Sequence, residues 1–169
     1  MAYNHLGSGI QISLTGNDST WQSLTDHNRA PIQISTEIIE SQSRMANGSM
    51  RKYVIAQKKK ISVSWKYVPS KTSESVDGLN SAAWLEWFYQ ANAGVPVYIK
   101  VVSSEIDSTP TAGSLPSGTF ATAQTRLNSS TSATGATKYK VFMTDFSKTI
   151  INRTQISDYV DMSIEFTEI

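Results

Sequence analysis

The chain has 169 residues, 15 Lys+Arg against 14 Asp+Glu for a formal charge of +1, and no cysteine. Such a length buries about two-thirds of the unfolded chain's surface without staples; the missing thiols exclude disulfides, thiolate metal sites and cysteine nucleophiles. The near-neutral charge leaves no global field to attract nucleic acid, anionic membrane or acidic substrate, so a partner must be recognised by local shape.

Residues 1–9, MAYNHLGSG, are small and polar and are expected to form a flexible or partner-ordered arm. They lack the charged and apolar regions of a signal peptide, and no apolar run approaches the roughly 20 residues that span a bilayer. A soluble, cytosolic product without a membrane partner is the expectation. Gly7-Ser8-Gly9 precedes a strand and opens no helix, which is the wrong order for a phosphate-cradling loop. The first strand is Ile10–Leu14, ending at the turn former Gly16-Asn17-Asp18. Thr20 to Ala30, with Trp21 and Leu24, reads as a loop draped over a sheet.

Pro31 to Val68 reads as a three-stranded meander. PIQISTEIIE alternates, with Ile32, Ile34, Thr36 and Ile38 on one face and Gln33, Ser35, Glu37 and Ile39 on the other. Asn47-Gly48 predicts a two-residue type I′ turn, because both central positions need positive φ. MRKYVIA is the return strand. Gln57-Lys58-Lys59-Lys60 predicts a second turn, and Ile61, Val63, Trp65 and Tyr67 then alternate with Ser62, Ser64 and Lys66 in a strand buried on one face. Met45, Met50, Arg44 and Arg51 surround a turn with no core of its own. Unbranched thioethers pack on irregular partner surfaces, so this tip reads either as a solvated hairpin or as a protruding contact.

A helix is predicted over DGLNSAAWLEWFYQANAG, capped by Ser75 or Asp77 and ended at a left-handed Gly94. Leu79, Ala83 and Trp87 line one side with Trp84, Leu85 and Phe88 close by, and such a broad stripe must press on a sheet. Trp65, Trp84, Trp87 and Phe88 are accordingly assigned to the helix–sheet core. Val95 to Val102 is a β-branched strand with Pro96 near its start. Residues 103–138 turn Ser/Thr-rich and form a long loop in which Phe120 to Leu127 is a short strand or helix. Tyr139–Phe146 is a strand, Asn152-Arg153 a turn, and Tyr159–Ile169 a final strand with Val160, Met162, Ile164 and Phe166 on one face.

No catalytic set emerges. His27 and Asp26 are neighbours on a loop and cannot orient each other as a triad requires, and His5 lies in the arm. The acidic residues are scattered singly, so no metal or other cofactor is expected. Glu37 and Glu40 fall on opposite strand faces, and Asp161 and Glu165 share one face as solvated strand residues do. The lysine run lacks interleaved aromatics, so nucleic-acid binding is weakly supported. The four sequons at Asn17, Asn47, Asn128 and Asn152 are given no role.

RMANGSMRKYVIAQKKKISVSWKYVPS followed by SVDGLNSAAWLEWFYQA resembles the major tail tube proteins of long-tailed bacteriophages, which are related to the tubes of contractile injection systems. The likeness covers about the central third of the chain and the strand-rich C-terminal plan. It implies a mainly β fold of two packed antiparallel sheets flanked by one helix, in one tail-tube-like domain over residues 1–169. It further implies a structural virion protein, made in the host cytoplasm and not an enzyme, whose homo-oligomeric rings, hexameric by resemblance, stack into a tail tube that conducts DNA into the host cell. Arg44, Met45, Asn47, Gly48, Met50 and Arg51 would form the ring-stacking hairpin. Gln33, Ser35, Glu37 and Lys52 would line the lumen or touch a subunit, with Arg51 on the same strand face. Tape-measure, terminator and initiator proteins would be partners, and DNA would pass through transiently without specific contacts. The rival reading is a β-sandwich binding module that takes carbohydrate or protein through the 103–138 loop.

Overall fold

The computed structural model describes residues 9–17, 19–101, 105–106, 113–115, 120–121 and 138–169. The expected arm falls outside these residues except for Gly9, as does most of the 103–138 loop. Nine strands are described: β1 (Ile10–Ser13), β2 (Gln22–Ser23), β3 (Gln33–Arg44), β4 (Met50–Pro69), β5 (Val97–Val101), β6 (Glu105–Ile106), β7 (Phe120–Ala121), β8 (Lys138–Arg153) and β9 (Asp158–Glu168). Among the described residues a 3-10 turn spans Thr72–Glu74, and the single helix α1 spans Ala82–Ala91. The fold is mainly β with one helix, as the sequence indicated. The hydrogen-bonded order is β2-β1-β5-β8-β9-β4-β3, all pairs antiparallel, with β6 and β7 forming a separate two-stranded ladder. What the resemblance gives as two sheets is thus one continuous seven-stranded ladder.

That ladder is curled. Laid flat, five strand spacings would put β2 about 24 Å from β4. Yet Thr25, two residues past β2, accepts a 2.7 Å hydrogen bond at its carbonyl from Trp65 Nε1 on β4. The chain between β2 and β3 closes the curl: Ala30 N donates to Ser64 O at 2.8 Å and Lys66 N to Asn28 O at 3.1 Å. Inside lie Ile10 and Ile12 of β1, Ile61, Val63 and Trp65 of β4, Val97 and Ile99 of β5, and Val160, Met162, Ile164 and Phe166 of β9. The last four are the strict alternation read in the sequence, buried against Asp161, Ser163 and Glu165 on the solvent side.

Helix α1 starts five residues later than expected. Neither expected cap serves it: its N-cap is Ser81, and Asp77 organises the preceding loop, accepting from Thr25 Oγ1, Asp26 N and Leu79 N at 2.9–3.0 Å and from Ser75 Oγ. Burial opposes ionisation of Asp77, but these donors prevail and hold its carboxyl below the ordinary carboxylate range. Gly94 is left-handed as expected, two residues beyond the C-cap Asn92. Ala82, Leu85 and Phe88 are the buried stripe; Trp84 stacks on Phe88 at 5.1 Å and Tyr89 on Phe146 of β8 at 5.4 Å. Trp87 does not join the core, being 67% exposed. Two residues advance a helix about 200°, so Trp87 stands opposite Leu85.

The expected turn at Gln57–Lys60 is absent, and β4 runs through it as one 20-residue strand. The run holds no Gly, Pro, Asn or Asp to break a strand. Its lysines have partners along the ladder: Lys58 sits opposite Glu37, Lys59 Nζ donates to Thr36 Oγ1 at 2.8 Å, and Lys60 Nζ lies 3.0 Å from Glu165. Hydrogen bonding to Glu165 raises the Lys60 ammonium above its ordinary value. The meander is therefore a single long hairpin.

Candidate functional site

The hairpin outgrows the sheet. β4 pairs with β9 from Pro69 opposite Tyr159 up to Lys60 opposite Thr167, where β9 runs out. Beyond that level β3 and β4 pair only with each other, from Glu37 opposite Lys58 to Arg44 opposite Met50. Eight residue levels at about 3.4 Å each make a two-stranded ribbon roughly 27 Å long. Among the described residues both of its outer backbone edges lack strand partners, and so does the edge of β3 beside the sheet. No residue of the ribbon belongs to the buried core.

The tip differs from the two-residue turn expected at Asn47-Gly48. Gly48 N donates to Met45 O and Met45 N to Ser49 O, both at 2.9 Å, and only Gly48 has positive φ, at 80°. This is a three-residue loop, a type I turn closed by a left-handed glycine. Asn47 is freed from the left-handed region, and its Oδ1 instead accepts from Ser49 N at 3.1 Å and Ser49 Oγ at 2.7 Å. Arg44, Met45, Met50 and Arg51 cluster around this loop, all exposed. The two arginines make no ion pair among the described residues.

A bulge between Ile39 and Glu40 leaves Ile55 as an extra residue of β4. Past it the facing of β4 reverses. On the core-facing side the ribbon carries Ile38 with Gln57, Glu40 with Val54, Gln42 with Lys52 and Arg44 with Met50; on the other stand Glu37 with Lys58, Ile39 with Ala56, Ser41 with Tyr53 and Ser43 with Arg51. Of the suggested lumen set, Gln33, Ser35, Glu37 and Arg51 share the polar face. Lys52 does not: the bulge turns it to the opposite side, where Nζ lies 2.5 Å from Glu40. Hydrogen bonds from Lys52 first and Gln42 second hold the Glu40 carboxyl below its ordinary value. Sequence reading had no signal for this bulge, since no glycine marks it.

Below the ribbon, the polar face holds Ser62, Ser64, Asp145, Ser163 and Glu165, which with Gln33 line a shallow groove of about 300 Å³. Ser147 and Ser163 hydroxyls meet at 2.7 Å across β8 and β9. No group of three His, Asp or Glu positioned to hold a metal occurs among the described residues.

What the geometry defines is a curled antiparallel body with an exposed two-stranded ribbon. No family model matches the sequence, and no curated protein does. Among solved structures, the chain is similar to the tail of an empty GTA particle refined with C6 symmetry, at 9% identity and a TM-score of 0.48, over 100% of this chain and 95% of that one.

Proposed function

We propose that the chain is a non-enzymatic structural subunit of a phage-type tail tube, made in the host cytoplasm and resident in the virion. Copies close into rings, hexameric on the sequence resemblance, and the rings stack into a conduit for DNA. The observation that carries this reading is the ribbon. A two-stranded hairpin is at best marginally stable alone in water, yet this one projects two unpaired edges and exposes Ile38, Ile39, Met45, Met50, Tyr53, Val54 and Ile55. Exposed edges of this kind invite another chain unless a partner covers them. Copies of the same chain, arranged head to tail, satisfy them.

The polar face of the body below the ribbon, where β3, β4, β8 and β9 lie side by side, is the proposed lumen wall. It is dressed with serines, and Lys60 there is already paired with Glu165. DNA that must slide is not held by a surface lacking rows of phosphate-binding cations. Tape-measure and end-capping proteins would set the length. Light scattering and negative-stain microscopy of the purified protein test the reading, first unmodified and then with Met45→Asp and Met50→Asp. Rings or hollow tubes that these substitutions return to folded monomers are the expected result; a monomer at every concentration overturns it.

A further inference from the structure

We infer that the ribbon is clamped on both faces by other copies of this chain, so that one hairpin serves two interfaces at once. The inference rests on the tube reading above and adds to it which side chains face which contact.

A strand covered on one face alternates, as β9 does with its buried Val160, Met162, Ile164 and Phe166. A strand covered on both faces reads as a continuous apolar run. The ribbon has the second pattern: Ile38-Ile39 on β3, and Tyr53-Val54-Ile55-Ala56 on β4. Ile38 and Val54 stand on the core-facing side, Ile39, Tyr53 and Ala56 on the polar side, and the bulge adds Ile55 between them. A ribbon laid on one surface would leave an apolar belt in water.

Area points the same way. At roughly 27 Å by 10 Å, one face of the ribbon offers about 270 Å², a third of the ~800 Å² per partner of a specific, stable interface. Covering one face alone would tie the ribbon to the assembly by a small fraction of such an interface, whereas covering both faces doubles what the ribbon buries. Charge names the occupant. Between Glu37 and Lys58 four basic and two acidic residues leave the ribbon at +2, so with a chain total of +1 the remainder carries −1. A basic ribbon meeting the net-acidic body of other copies is complementary.

The chain has no cysteine, so single thiols report each face cleanly. Ile38→Cys and Ile39→Cys, and as a second pair Val54→Cys and Tyr53→Cys, are co-assembled with excess unmodified chain and reacted with an uncharged maleimide. In tubes, both members of each pair should react about tenfold more slowly or less than in the monomer, because a covered thiol is not reached. If either face keeps its monomer rate in intact tubes, the clamp is overturned and the tube reading stands. If the unmodified chain never assembles, both fall.

Discussion

Replacing Ile38 through Gln57 by Asn-Gly would join Glu37 to Lys58 through a two-residue turn and remove the ribbon while leaving the body whole. All twenty buried apolar residues among the described ones lie outside the excised segment, so the body should keep its stability to within about 1 kcal/mol, or ~2–4 °C in Tm for a chain of this size. Assembly should respond very differently. Seven large apolar residues of the ribbon keep between 40% and 77% of their exposure. Covering the exposed half of such side chains contributes about 1 kcal/mol each, hence roughly 7 kcal/mol per ribbon. That corresponds to about five powers of ten in an association constant. Sedimentation velocity across a concentration series, beside a thermal melt, reads both quantities. Tubes formed by the shortened chain would refute the argument, and so would a body that no longer melts cooperatively.

Phe166→Ala removes a fully buried ring opposite Ile61 and Met143, and the cavity should cost about 3–5 kcal/mol in urea unfolding. Trp65→Phe deletes the donor that serves the Thr25 carbonyl across the curl; a loss of about 2 kcal/mol is expected from the missing hydrogen bond and the smaller ring. Asp77→Asn acts through pH. Because the folded carboxyl is held below its ordinary value of 3.8, it contributes stability that is present above the unfolded pKa and lost as pH falls through the folded one. The Tm of Asp77→Asn should therefore fall less steeply than that of the unmodified chain on acidification below about pH 4.

The parts of the fold legible in the sequence are those where local pattern and tertiary burial agree. Val160 to Phe166 alternates because one face of β9 meets the core, and Ile61, Val63 and Trp65 do so for the same reason. The misreadings share another cause. Lys58 to Lys60 looked like a turn because loops are polar, but an exposed ribbon is polar as well, and Glu37, Thr36 and Glu165 give the lysines strand partners. Asn47-Gly48 announced the hairpin correctly; the loop length depends on backbone hydrogen bonds that a dipeptide does not encode. Trp87 looked like core because the helix start was set by Asp77, a residue that turned out to hold the Thr25–Asp26 loop instead. The bulge at Ile55 left no compositional trace, and it alone decides that Arg51, and not Lys52, stands on the polar face.

β4 belongs to the body and to the ribbon without a break, and this has a mechanical consequence. A pull on the tip along the strand axis passes straight down one covalent backbone into the ladder with β9, between Lys60 and Pro69. The inter-strand bonds lie perpendicular to that load, so they share it in shear instead of opening one after another. Tension along a column of such subunits would thus be borne by the strongest direction of the sheet, while a sideways bend would meet only the two-stranded neck at Glu37 and Lys58.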